Sequence, residues 1–143
     1  MDSSLETAFT TTRYCIAHEG DRCVIRIGEP TPARLAGWVR RYDGSGRAWL
    51  ITACNPGAAI LDTDRNRGRT EFLRHWVAKR ATAWLSSVNE AADGRWPDEP
   101  GVLAAGIEEG RMRALARRLG QLAIVQVPAA APVSLLWLHE APA

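Results

Sequence analysis

The stretch RAWLITACNPGAAILDTDRNRGRTEFLRHW, residues 47–76, decides the fold of this chain. Its apolar run AWLITAC is typical of a strand that is covered on both faces. Asn55-Pro56-Gly57 ends the run, and the polar segment that follows turns apolar again with helical spacing. The stretch therefore predicts a central strand, a turn and a helix, in that order.

The helix in this stretch is expected to turn a side that is partly polar toward the core. The apolar residues of its inward face are Phe72, Leu73, Trp76 and Val77. At about 100° per residue the same stripe continues backward through the polar residues Arg69, Asn66, Arg65 and Asp62. Polar groups on such a stripe need partners in the protein, in water or in a ligand.

The start of this helix is also where α/β proteins often bind ligands, because helix N–H groups meet the end of a strand there. We therefore expect a non-catalytic domain that binds a small polar or anionic ligand at Asn55, Asn66 and Arg69. A structural explanation is open as well. Asn55 could stabilise the turn, Asp62 or Thr63 could cap the helix, and Asn66 with Arg69 could satisfy loop carbonyls.

Short apolar runs and helical patterns alternate along the rest of the chain. Residues 12–19 and 22–28 are predicted to form a hairpin, and a turn at Glu19-Gly20 would pair Ile16 with Cys23. A helix is predicted over residues 31–42, with Thr31 as N-cap. The other predicted elements are strands at 81–88, 102–107, 121–127 and 133–138 and a helix at 108–119.

These elements predict an α+β or α/β domain with a mixed β-sheet of about seven short strands and three helices. A chain of 143 residues with 46% hydrophobic residues fits one domain. We expect that domain over residues 10–139, a flexible segment over 1–9 and a tail over 140–143. No signal sequence or long apolar run is present, so we expect a cytoplasmic protein without membrane contact.

Charge and cysteine content exclude several classes of site. The net charge is only +2, and 17 of the 18 basic residues are arginine, as in proteins encoded by GC-rich bacterial genomes. Acidic residues offset the helical arginines, so we predict no specific nucleic-acid binding. The three cysteines include no Cys-x-x-Cys pair, which indicates buried free thiols and no metal site. No catalytic motif is present, so no catalytic residue or cofactor is assigned and enzymatic activity stays open.

The loop GRWPDEPG, residues 94–101, is the second unusual segment. Trp96 and the acids could form a rigid rim that contacts a ligand. Alternatively, Trp96 anchors the loop on the core while Asp98 and Glu99 are solvated.

Four segments, ITACNPG, DRNRGR, WPDEPG and ARRLGQLAIV, together resemble an uncharacterised bacterial family of domains of unknown function, number 3293 in its series. That family has TACNP, WPxE and RxxGQxA motifs, and the resemblance covers about residues 10–127. Pro100 departs from the pattern, in which glycine follows the acidic pair, so the register of Glu99 is left open. The resemblance supplies no chemistry, but it implies these polar site residues: Asn55, Asn66, Trp96, Glu99, Arg117 and Gln121.

Two of these residues have further interpretations from their positions. Gln121 begins a strand, where an inward amide needs partners, and it is expected near Asn55. Arg117 is either a site residue or a solvated arginine on the outer face of its helix. The alternative function is a protein-interaction or regulatory module, which could be a homodimer, using a sheet edge or the Trp96 loop.

Overall fold

The computed structural model describes residues 3–138 of the chain, with four α-helices and seven strands. In chain order these elements are α1 (Ser3–Thr11), β1 (Arg13–His18), β2 (Asp21–Ile25), α2 (Ala33–Tyr42), β3 (Arg47–Thr52), α3 (Thr63–Arg80), β4 (Ala83–Glu90), β5 (Glu99–Ala105), α4 (Glu109–Arg118), β6 (Ala123–Pro128) and β7 (Ser134–Trp137). A short 3-10 turn, Pro56–Ala58, lies between β3 and α3. The expected tail over residues 140–143 lies outside the described residues.

The seven strands form one sheet in the order β2-β1-β4-β5-β3-β6-β7. All pairings between these strands are antiparallel, so the parallel pairs of the expected mixed sheet are not found in the described part. The reason is long-range. Helix α3 connects β3 to β4, but β5 lies between these two strands in the sheet. Helix α4 connects β5 to β6, and β3 lies between those two strands. The segment from β3 to β6 thus has the β-α-β-β-α-β strand order of ferredoxin-like domains, and the fold is α+β.

Strand β3 has a core on each face, as its continuous apolar sequence predicts. Trp49 and Ile51 pack with α3 and α4, whereas Leu50 packs with α2. Alternate side chains of a strand point to opposite faces, so a strand between two helical layers needs apolar residues at successive positions.

The sheet curls, so that chain segments next to its two edges meet. The Gly28 N–H donates to the Val133 carbonyl at 2.8 Å, and the Val133 N–H donates to the Glu29 carbonyl at 2.9 Å. Helix α1 contacts both sides of the curl. Tyr14 Oη of β1 donates to the Phe9 carbonyl at 3.0 Å, and the Phe9 ring meets Trp137 of β7 edge-on with 5.4 Å between centroids.

Helix α1 is a fourth helix, one more than the sequence predicted. The expected flexible segment over residues 1–9 stays a prediction. The apolar residues Leu5, Ala8 and Phe9 of α1 have helical spacing, and they line a cavity against the sheet. This pattern alone is too short to predict a helix. From Leu5 to Phe9 it spans little more than one helical turn, so the apolar stripe of a longer helix does not form. Its contacts with the folded sheet therefore help to define this helix.

The inward face of α3 is rotated relative to its predicted position. Leu73 and Val77 are buried as expected, and Thr70 is buried beside them. Phe72 is 40% exposed and lies under the Arg118 guanidinium of α4, 5.5 Å from the ring centroid. The prediction was wrong for three positions on one flank of the stripe, which are exposed in the structure: Phe72, Arg65 and Asp62.

Of two further local predictions, the hairpin register is confirmed and the cap of α2 is wrong. In the hairpin, Ile16 pairs with Cys23. Thr31 does not cap α2, because its hydroxyl donates to the Pro128 carbonyl at 2.6 Å and Pro32 occupies the cap position. All three cysteines are free, with Cys23 only partly buried.

Among residues 3–138, none of the helices has the length and apolar character needed to cross a bilayer.

Replacing Gly101 of β5 by alanine is expected to destabilise the fold strongly. A Cβ at this position would lie 2.4 Å from the Ile51 carbonyl oxygen of β3, so the two strands would have to move apart. We expect a loss of about 2–3 kcal/mol in the free energy of unfolding, measured by urea denaturation.

The matched control is Gly110→Ala in α4, where a Cβ meets nothing within 4 Å. Alanine favours a helix over glycine by up to about 1 kcal/mol, so this variant should be as stable as the wild type or more so. Equal stability of the two variants would contradict the close approach of β5 to β3.

Candidate functional site

Asn55 directs its side chain inward from the end of β3. Its backbone is left-handed, with φ of 51° and ψ of 61°, a conformation that asparagine tolerates better than most residues. The turn before it is fixed by Thr52, whose hydroxyl accepts from the Cys54 N–H and donates to the Pro100 carbonyl. As a result Asn55, although polar, is only 4% exposed.

Asn55 and Asn66 form reciprocal hydrogen bonds. The Asn55 N–H donates to Asn66 Oδ1 at 3.0 Å, and Asn66 Nδ2 donates to Asn55 Oδ1 at 2.8 Å. Asn55 Oδ1 also accepts from the Leu61 N–H at 2.9 Å. Both lone pairs of this oxygen are therefore used. Together with the Asp62 side chain, which caps α3 by accepting from the Arg65 N–H, these bonds attach the start of α3 to the end of β3.

Glu99 of β5 is the acid that meets Asn55. Its Oε2 accepts from Asn55 Nδ2 at 2.8 Å and from Trp96 Nε1 at 3.1 Å. Asp98 is exposed, whereas Glu99 is partly buried and faces inward. The register of Glu99 in the family pattern stays open. Glu99 Oε1 makes no hydrogen bond to any residue between 3 and 138. We call Asn55, Asn66, Trp96 and Glu99 the Asn55 cluster.

A cavity of about 460 Å³ opens beside the Asn55 cluster. Its walls are mostly apolar and come from α1, from all strands except the edge strands β2 and β7, and from the loop between β4 and β5. This volume is within the range of small-molecule sites. Its aromatic and polar lining residues include Phe9, Tyr14, Asn89, Trp96, Glu99 and Gln121.

Tyr14, Asn89 and Glu99 form a row across three neighbouring strands. Tyr14 of β1 stands opposite Asn89 of β4, and Asn89 stands opposite Glu99 of β5. Residues directly opposite each other in antiparallel strands share a face and lie about 4.5–5.5 Å apart at their Cα or Cβ atoms. The row therefore places a phenol, an amide and a carboxyl group side by side on the cavity wall.

Burial changes the ionisation of two groups in this row. Desolvation raises the pKa of the Glu99 carboxyl above its usual value, although the hydrogen bonds from Asn55 and Trp96 oppose the rise. Desolvation also raises the pKa of the Tyr14 hydroxyl, and the nearby Glu99 carboxyl raises it further. Tyr14 is therefore a neutral phenol at physiological pH.

Gln121 joins the wall from the end of α4. Its Nε2 donates to the Cys54 carbonyl at 3.0 Å. Gln121 therefore lies near Asn55, as expected from the sequence. The preceding Gly120 has φ of 72°, and its carbonyl accepts from the Gly57 N–H at 2.8 Å. A Cβ on Gly120 would lie 2.8 Å from Pro56 Cβ, so the turn after β3 packs directly on the end of α4.

The two predicted arginines lie away from the cavity. Arg69 Nε donates to the Ala53 carbonyl at 2.5 Å, and its Nη2 donates to the Leu119 carbonyl. Arg117 is exposed, and its Nη2 donates to the Leu138 carbonyl at 3.1 Å. The structural explanation, in which Arg69 satisfies backbone carbonyls, therefore describes its observed contacts. A ligand-binding role for either arginine stays a prediction.

Three features of the cavity were not predicted from the sequence: Tyr14, Asn89 and the cover that α1 provides. Tyr14 was read only as part of a hairpin, although its alternation with Ile16 already placed both on one face. The predicted strand over residues 81–88 stops before Asn89, whereas β4 includes it, and its buried Oδ1 has no hydrogen-bond partner within residues 3–138. In the same part of the chain no three His, Cys, Asp or Glu side chains are placed to share a metal ion.

Removing the Asn66 side chain is expected to destabilise the protein. Asn66→Ala leaves the buried N–H of Asn55 without its acceptor and removes one donor from Asn55 Oδ1. An unsatisfied buried polar group costs about 1–3 kcal/mol, so we expect a loss of about 2–3 kcal/mol by urea denaturation. Arg67→Ala on the exposed side of the same helix is the control. A loss no larger than that of the control would contradict the structural role of Asn66.

The stability of the protein should depend on pH through Glu99. Because its pKa is raised in the folded state, that state holds the proton over a pH range in which the unfolded chain has released it. The stabilising contribution of the neutral carboxyl is thus present below the unfolded pKa, and it is lost as pH rises through the folded pKa.

This dependence can be measured against Glu99→Gln, which cannot titrate. The difference in unfolding free energy, wild type minus Glu99→Gln, should fall as pH rises above the usual carboxyl range. Asp98→Asn, which removes an exposed carboxyl from the same loop, is the matched control for the loss of a negative charge. A difference that stays constant with pH for Glu99→Gln would contradict the raised pKa.

Comparison with known proteins supports the resemblance noted in the sequence. The model of the family described as "Protein of unknown function (DUF3293)" matches residues 51–124, just over half of the chain. No curated protein and no solved structure matches the chain. The matched region contains the whole Asn55 cluster together with Gln121, whereas Tyr14 and α1 lie before it. The chain belongs to this family of proteins of unknown function.

Proposed function

We propose that this protein binds a small organic ligand in the cavity beneath α1, with Glu99 as the polar anchor. The observation that carries the proposal is the free oxygen of Glu99. Its Oε2 is held by Asn55 and Trp96, while Oε1 has no hydrogen-bond partner among residues 3–138 and the residue lines the cavity. This oxygen is not among the buried atoms without a partner, so it is accessible to a donor from water or from a ligand.

The make-up of the cavity supports a ligand with an apolar body. Small-molecule sites are typically concave and mostly apolar, with a few convergent polar groups that fix orientation. Here Leu50, Val125 and residues of α1 supply apolar surface. Glu99 and Gln121 supply polar groups, and they bind two adjacent residues after β3, Asn55 and Cys54.

The polar end of the ligand should donate hydrogen bonds. Besides Glu99 Oε1, Gln121 Oε1 and Asn89 Oδ1 accept no hydrogen bond from the described residues. An anion would meet the Glu99 carboxyl, and the guanidinium of Arg69 is directed at backbone carbonyls. Of the polar or anionic ligands expected from the sequence, we therefore propose the polar, donor-bearing kind.

Binding without a chemical step is the role that these contacts support best. The described hydrogen-bond partners of Glu99 are the amide of Asn55 and the indole of Trp96, and neither titrates in the physiological range. We also propose that the protein is bacterial and cytoplasmic. The Trp96 indole donates to Glu99 beside the cavity, which gives the Trp96 loop a role that does not require a protein partner.

A cavity-filling variant tests the proposal. The probes are three phenyl compounds of matched size: 2-phenylethanol, phenethylamine and phenylacetate. At least one donor-bearing probe should bind with a dissociation constant below about 1 mM by calorimetry and should raise Tm, because ligands that bind only the folded state stabilise it. Ala8→Phe places a ring at the cavity wall on α1 and should weaken that binding at least about tenfold.

The matched control is Ala114→Phe, on the exposed side of α4 and away from the cavity. It adds the same ring and should leave binding unchanged. The proposal fails if no probe binds, or if both variants reduce binding equally.

A further inference from the structure

We propose that the ligand is an organic cation, a protonated amine whose N–H groups donate to Glu99 while its apolar body lies among aromatic rings. This inference rests on the proposed function and specifies its ligand class. Two independent features of the cavity support a positive charge: the orientation of one carboxyl group, and the aromatic side chains around it.

The carboxyl group is fixed in one orientation by donors that leave half of it unused. Asn55 Nδ2 and Trp96 Nε1 both donate to Oε2, at 2.8 and 3.1 Å. Asn55 is itself held by Asn66 and Leu61, so the donor that positions Glu99 is fixed in turn. Oε1 is therefore a preorganised acceptor, and a charged N–H donor gives a stronger bond to a carboxylate than a neutral donor does.

Neighbouring acceptors match the several N–H groups of an ammonium. Asn89 stands directly opposite Glu99 in the sheet, and its buried Oδ1 has no partner among residues 3–138. Gln121 Nε2 is used by the Cys54 carbonyl, which leaves its oxygen available at the same wall. A protonated primary amine carries three donors and no acceptor. Carboxylate and amide oxygens are therefore the partners that it requires.

Aromatic side chains line the same cavity. They come from three separate elements: Phe9 of α1, Tyr14 of β1 and Trp96 of the loop before β5. The faces of such rings attract cations, most strongly when water is excluded. Tyr14 contributes as a neutral phenol, since its hydroxyl donates to the Phe9 carbonyl.

The charges that line the cavity leave a net negative interior. Asp93 and Arg95 also line it, but both are exposed and have opposite signs. The partly buried carboxyl of Glu99 is thus the charge that a ligand would meet inside. A charge removed from water is costly unless it is paired, and a cationic ligand supplies that pair.

The three phenyl probes separate charge from shape. On the wild-type protein, phenethylamine should bind at least about tenfold more tightly than 2-phenylethanol, and phenylacetate should bind most weakly of the three by calorimetry at pH 8. This order decides the charge of the ligand even if a Glu99 variant does not fold.

Variants assign the preference to Glu99. Glu99→Gln keeps an oxygen that can accept from Asn55 and Trp96 but removes the charge, so amine and alcohol should bind within about twofold of each other. Asp98→Asn removes an exposed charge one residue away and should keep the tenfold preference. Urea denaturation of each variant checks that it is folded.

The possible results are distinct. Equal binding of amine and alcohol to the wild type, both blocked by Ala8→Phe, overturns the cation and leaves the proposed function intact. A preference for the amine that survives Glu99→Gln overturns the assignment to Glu99. Binding of none of the three probes overturns both proposals.

Discussion

The site depends on the hydrogen bonds that the side-chain amide of Asn55 makes. Its oxygen accepts from Asn66 and Leu61, and its nitrogen donates to Glu99, so one buried group joins the start of α3, the turn after β3 and the first residue of β5. Because both acceptor positions of Asn55 are filled, the amide can take only one orientation. That orientation fixes which oxygen of Glu99 is bound and which is left for the cavity.

The cavity itself follows from the antiparallel pairing of the sheet. Opposite residues of paired strands share a face, so the pairing of β1 with β4 and of β4 with β5 aligns Tyr14, Asn89 and Glu99. Curling of the sheet then brings β7 close enough for α1 to contact both Tyr14 and Trp137. The result is a cavity at the end of β3, beside the polar side chains of the Asn55 cluster.

The sequence predicted what depends on local patterns. Short apolar runs and helical spacing identified the seven strands and three of the four helices, and the Glu19-Gly20 turn predicted the register of Ile16 with Cys23. Strand order could not be predicted, because the placement of β5 between β3 and β4 depends on contacts distant in sequence. For the same reason the pattern located Asn55 near Asn66 but gave no sign that Asn89 lies beside Glu99.

The hydrogen bonds that Glu99 makes within the protein do not require its negative charge. The hydrogen bonds from Asn55 and Trp96 reach Oε2 alone, and a neutral amide oxygen could accept both. Burial meanwhile raises the pKa of the carboxyl, which means that the folded environment disfavours the ionised form. A group that holds its neighbours through one oxygen, and whose charge is a cost to folding, is suited to act through the other oxygen. We propose that this action is on a ligand in the cavity, because Oε1 has no hydrogen-bond donor among residues 3–138.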